Sequence, residues 1–89
     1  MNIYHLNAEY CTDRDATYHY LIEQLELPSY TGHNLDALWD VLDEKSDYVI
    51  HLYHARHLVE VLGDYGLSLL DTLGDLVSSD KNRGIILHW

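Results

Sequence analysis

LPSYTGHNLDALWDVL, residues 27–42, reads as a turn that runs directly into an amphipathic helix. Pro28 and Gly32 punctuate the turn. Asn34 is a good N-cap for a helix that ends near Glu44. Leu35, Leu38, Trp39 and Leu42 recur at i, i+3, i+4 and i+7, an apolar stripe at helical period. Asp36, Asp40 and Asp43 recur at i, i+4 and i+7 on its flank, within about 60° of arc. No Lys or Arg lies among them in the sequence. Like charges at this spacing destabilise a helix by a few tenths of a kcal/mol per pair, and anions near a helix C-terminus oppose the macrodipole. An acidic flank is ordinarily a solvated face. One that keeps such repulsion is suited to meeting a cationic surface.

Outward from this stretch, residues 2–6 (NIYHL) are β-prone and predict a first strand. A helix follows to about Leu25, with Tyr18, Leu21, Ile22 and Leu25 on one face. Thr12 or Asp13 is its cap, and Thr12 with Asp15 has the form of a weak capping box. Residues 47–53 predict a second strand. Arg56 to Leu62 predict a short helix ended by Gly63, and Gly66 reads as a second break. A last helix is expected from Ser68 to Ser78, with Leu69, Leu70, Leu73, Leu76 and Val77 facing inward. Lys81 to Gly84 form a loop, and residues 85–89 a third strand. Strands separated by helices imply parallel pairing through right-handed crossovers. The fold class is therefore α/β, a three-stranded parallel sheet with four helices, in a single domain over residues 1–89. The first strand is placed in the centre.

Net charge and cysteine content narrow the function classes. The chain carries a formal charge of −10, which disfavours direct binding to nucleic acid because phosphate repels such a surface. A basic protein is the natural complement. Cys11, the single cysteine, has no internal disulfide partner, and a small structural residue is the expected role. The N-terminal stretch lacks the features of a signal peptide and no apolar run approaches a membrane span, so a cytoplasmic protein is expected.

Seven histidines raise the question of metal. Strand alternation puts His5 beside Ile3, His51 beside Val49 and Tyr53, and His88 beside Ile86. Register permitting, the three imidazoles share one sheet face and could form an open zinc site. A half-exposed sheet face also accommodates histidine as an amphipathic filler, and no carboxylate or cysteine completes a familiar ligand spacing. No metal or cofactor is expected. His51, His54 and His57, spaced three apart, run from a strand into a helix and need not share a face. No nucleophile motif or phosphate-cradling glycine loop is present, and Asp36 with Asp40 lack the two distinct environments that acid–base catalysis needs. An enzyme is not expected.

Leu27, Pro28, Tyr30, Gly32, Asn34, Leu35, Asp36, Ala37, Leu38, Trp39, Asp40 and Leu42 together resemble the barstar family of small acidic ribonuclease inhibitors. The resemblance implies a barstar-like fold and a protein, monomeric when free, that blocks the active site of a basic bacterial ribonuclease, either barnase-like or another ribonuclease toxin. It implies a partner-binding set of Tyr30, Gly32, Asn34, Leu35, Asp36, Trp39, Asp40 and Asp75. In that set Asp40 takes the place of an RNA phosphate, Asp36 pairs with a neighbouring cation, and Tyr30 stacks at the rim. Thr31 stands where the family's best-known member has an aromatic residue, and Lys45 where it has a tryptophan. The second acidic contact, on the last helix, falls to Asp75 or Asp80. The alternatives are an acidic interaction module with a non-nuclease partner and a metal-binding protein using the sheet-face histidines.

Overall fold

A computed structural model describes residues 1–77 and 82–89. Strand β1 (Asn2–Asn7) leads through a single 3-10 turn (Ala8–Tyr10) into helix α1 (Arg14–Gln24). Helix α2 (Leu35–Asp43) precedes strand β2 (Tyr48–Tyr53), and helices α3 (Arg56–Leu62) and α4 (Asp64–Leu76) precede strand β3 (Arg83–His88). The three strands are parallel, as expected. The expected end of the last helix at Ser78, the candidate contact Asp80 and the loop start at Lys81 lie outside the described residues.

The strand order is β1-β2-β3, so β2 and not β1 is central. Each strand is laid beside its predecessor and the winding never reverses; a central first strand would need a reversal. β1 suits an edge, with Asn2, Ile3 and His5 exposed, whereas every residue of β2 is at least half-buried.

Both sides of this arrangement follow from period-two alternation. Tyr4, Leu6, Tyr48, Ile50 and Leu52 point to one face. There they meet Tyr18, Leu21 and Leu25 of the α1 segment, Leu38 and Leu42 of α2, Leu58 of α3, and Leu69, Leu73 and Leu76 of α4 in one core. Each fully buried leucine contributes about 1.5–3 kcal/mol. The opposite face carries Ile3, His5, Val49, His51, Tyr53, Ile86 and His88, all exposed or half-exposed.

Several boundaries differ from expectation. Asp13, not Thr12, caps α1, its Oδ1 accepting from the Ala16 amide at 2.8 Å. Asp15 is thereby left to point elsewhere. α4 begins at Asp64, directly after Gly63 (φ +60°). Gly66 is therefore no break. It lies buried in the first turn of α4, where a Cβ would sit 2.3 Å from the Leu58 carbonyl oxygen, so its bare backbone lets α3 and α4 touch. Val77, expected to face inward, is exposed, because α4 ends at Leu76 and its buried stripe with it. Arg83 and Gly84, expected in a loop, begin β3, since pairing starts at Tyr48–Arg83.

Candidate protein-interaction face

Residues 28–44 form a loop and helix whose two ends are both fixed. The turn is held by Thr31, which is buried. Its amide donates to the Pro28 carbonyl at 3.0 Å and its hydroxyl to the same oxygen at 2.6 Å. Tyr30 is thus free of that task and is 85% exposed. Asn34 has an extended backbone, and its Oδ1 accepts from the Ala37 amide at 2.8 Å, the expected N-cap. A Cβ on Gly32 would come within 3.0 Å of Asn34 Nδ2 and 3.3 Å of Ala37 Cβ. Gly32 therefore leaves room for the cap as well as a low profile at the surface.

Beyond the cap the two faces of α2 separate. Leu38 and Leu42 are buried, and Leu35, Trp39 and Val41 pack partly buried against the core. Asp36 and Asp40 are exposed on the other side. Asp43 departs from the expectation of a third exposed, unneutralised carboxylate. Arg83 reaches it across 40 residues of chain, both Nη1 and Nη2 standing 3.1 Å from its Oδ1. Nη1 also donates to the Leu42 carbonyl at 3.2 Å, which accepts the Tyr48 hydroxyl as well, at 3.3 Å. A cation at a helix C-terminus, bonded to one of its open carbonyls, is electrostatically favourable. Asp43 is thus an anchor of α2.

Lys45 also has a structural task. Its Nζ lies 3.5 Å from the Leu25 carbonyl oxygen and 5.7 Å from the Tyr4 ring centroid. Asp75 is on the exposed side of α4, the helix packed against α2. Tyr30, Gly32, Asn34, Asp36 and Asp40 lie on one continuous loop and helix. Leu35 and Trp39 face chiefly inward.

Sequence reasoning missed His33, in the same loop. Its Nδ1 stands 2.7 Å from Asp15 Oδ1, and its ring stacks on Tyr18 with centroids 5.7 Å apart. The Tyr18 hydroxyl is hydrogen-bonded to that of Tyr65 on α4. Burial, and then this bond, push the Tyr18 phenol well above its ordinary range. Burial also pushes the Tyr48 phenol up, against a smaller downward pull from Arg83. No single-residue sequence signal marked His33, whose partners are 15 and 18 positions away.

The open sheet face brings His5, His51 and His88 together, as register permitted. His5 pairs with His51 across the strands, and His51 Nδ1 lies 3.1 Å from His88 Nε2. The rings stack in a row, with centroids 5.1 and 5.4 Å apart, and His5 Nδ1 faces the Tyr53 hydroxyl at 3.2 Å. Among the described residues no group of three or more ligand side chains is placed to hold a metal ion. Cys11 is buried. Burial raises its thiol pKa, partly offset by a hydrogen bond with Thr17, so the neutral thiol is favoured. Among the described residues no helix is long and apolar enough to cross a membrane.

The family model described as Barstar (barnase inhibitor) matches residues 1–89, far beyond the run at 27–42 that carried the resemblance. No curated protein matches the chain.

Proposed function

This chain belongs to the barstar family, and from that membership we propose that it binds a basic bacterial ribonuclease and blocks its active site with Asp40. The observation that carries the proposal is the contrast between the two sides of α2. One side and both ends are bound into the fold, while Asp36 and Asp40 stand exposed. A carboxylate on a rigid helix is pre-organised to accept charge-assisted hydrogen bonds from the Arg, Lys and His groups that otherwise hold RNA phosphate. Asp36 pairs with a neighbouring cation. Tyr30 stacks at the rim, where an exposed aromatic beside charge is typical of an interface hot spot, and Asp75 supplies a second acidic contact from α4. The protein acts as a monomer in the cytoplasm, neutralising a ribonuclease toxin that would otherwise degrade RNA there.

The test is inhibition of barnase, the enzyme of the family's description, by wild type, Asp36→Ala and Asp40→Ala. Asp40→Ala should weaken binding by about 2–5 kcal/mol, because it strands a buried cation in the enzyme. That range is the general one for truncating a buried interfacial charge pair, and the barnase–barstar complex is itself among the measured cases behind it. Asp36→Ala should cost less. An Asp40→Ala protein that melts lower yet inhibits normally would overturn the proposal.

A further inference from the structure

The geometry points to His33 as a positioning residue for the binding loop, an inference that rests on the nuclease-binding reading of residues 28–44. Two residue pairs join the loop to α1, and two more join α1 to α4. His33 Nδ1 lies 2.7 Å from Asp15 Oδ1, and the His33 ring lies on Tyr18, nearly parallel at 17°. Tyr18 is fully buried and bonds through its hydroxyl to Tyr65, whose ring meets it edge-on at 6.3 Å. The Arg14 guanidinium sits 3.7 Å over the Tyr65 ring centroid. Arg14, Asp15 and Tyr18 all belong to α1, and Tyr65 to the start of α4.

His33 has no reason to be there for the core alone, since its side chain is 38% exposed. Its neighbours explain it. It lies between Gly32, whose backbone is unrestrained by a side chain, and Asn34, whose cap fixes the first turn of α2. A carboxylate only accepts hydrogen bonds, so His33 Nδ1 is the donor in this pair. The consequence of this clamp is entropic: the loop that presents Tyr30 is ordered before the partner arrives, and that ordering is not charged against binding. Because Tyr65 opens α4, the same contacts tie the loop to the helix that carries Asp75.

The experiment has two arms, run on wild type, His33→Ala, His33→Gln, Asp15→Ala, the His33→Ala/Asp15→Ala double variant and a charge-altering control on the same helix, Glu23→Gln. The first arm measures amide hydrogen exchange in the free protein at Thr31 and Ala37, whose amides are bonded to the Pro28 carbonyl and to Asn34. The second measures the Kd for barnase. His33→Ala and Asp15→Ala should each speed exchange at Thr31 and weaken binding by roughly tenfold, with amides of β2 unchanged. The double variant should be no worse than the worse single one, because both break one clamp. His33→Gln, which keeps a donor for Asp15 but loses the ring, should fall between. Glu23→Gln should alter neither.

Unchanged exchange at Thr31 in both single variants would overturn the inference. So would an Asp15→Ala protein that binds normally beside a weakened His33→Ala, which would make His33 a direct contact instead. If wild type fails to bind barnase, the nuclease reading fails for that enzyme, and the exchange arm still decides whether His33 fastens the loop.

Discussion

Arg83 at the start of the last strand holds Asp43 at the end of the acidic helix, with Nη2 3.1 Å from Oδ1 and the guanidinium fully buried. Three carboxylates that look equivalent on a helical wheel therefore serve two purposes. Asp36 and Asp40 face solvent, while Asp43 neutralises an arginine that the fold has taken out of water.

Substitution separates the two purposes. Asp43→Ala removes a carboxylate bonded to the buried Arg83 guanidinium, and breaking a fully buried pair costs about 3–5 kcal/mol. Asp43 is itself 43% exposed, so water can enter and the expected loss is about 1–3 kcal/mol. Thermal melts should show Asp43→Ala well below wild type. Asp40→Ala should melt at or slightly above it, since it relieves like-charge repulsion, and Asp36→Ala should melt close to it, since relief of the same repulsion is offset by loss of a carboxylate from the first turn of α2. Equal melting of Asp43→Ala and Asp40→Ala would contradict this division.

Glycine substitutions in α4 should have opposite signs. Gly66→Ala places a Cβ 2.3 Å from the Leu58 carbonyl oxygen, a backbone atom with no room to yield except by separating α3 from α4. A loss of about 2 kcal/mol or more is expected. Gly74→Ala meets nothing within 4 Å and exchanges a poor helix former for the best, a gain of about 0.5–1 kcal/mol. Urea unfolding of the two variants measures both. A neutral Gly66→Ala would mean that the helices are not in the contact described.

Alkaline pH should unfold the protein progressively. Tyr18 and Tyr48 have folded-state pKa values above their unfolded values, chiefly through burial. For such groups stability is fully present below the unfolded value of about 10 and is lost as pH rises above it towards the folded values. Melts between about pH 8 and pH 11 should fall above about pH 10, and Tyr65→Phe, which removes one of the causes at Tyr18, should soften the dependence. A melting temperature flat to about pH 11 would contradict the burial of both phenols.

Association with a basic ribonuclease should depend steeply on salt. The chain carries a charge of −10 and its proposed contact is carboxylate-led. The association rate should drop by roughly ten- to a hundredfold from low to high ionic strength, with dissociation changing far less. Stopped-flow mixing gives both rates. A salt-independent association rate would remove electrostatic steering.

Much of this molecule is legible in one dimension because the relevant signals are local. The apolar stripe of α2 and its Asn34 cap depend on spacings of three and four residues, and strand alternation puts His5, His51 and His88 on one face. Strand order, by contrast, depends on whether the winding reverses, which no local pattern records, and the expectation of a central β1 fails for that reason. Gly66 reads as a break because glycine usually is one; only the packing of α3 shows that a bare backbone is needed there. His33 gives no signal in the sequence because its partners, Asp15 and Tyr18, belong to α1, 15 and 18 positions away.

The amino-acid sequence by itself determined the α/β alternation, the face of α2 that is buried, the surplus of negative charge and the family. Those properties arise from hydrophobic periodicity, capping chemistry and composition, which act over a few residues or over the whole chain at once. The tertiary structure alone decided which carboxylates of α2 are left exposed and which is paired. That choice turns on whether a guanidinium 40 positions away arrives at 3.1 Å, and a side chain's electrostatic role is set by its neighbours in space.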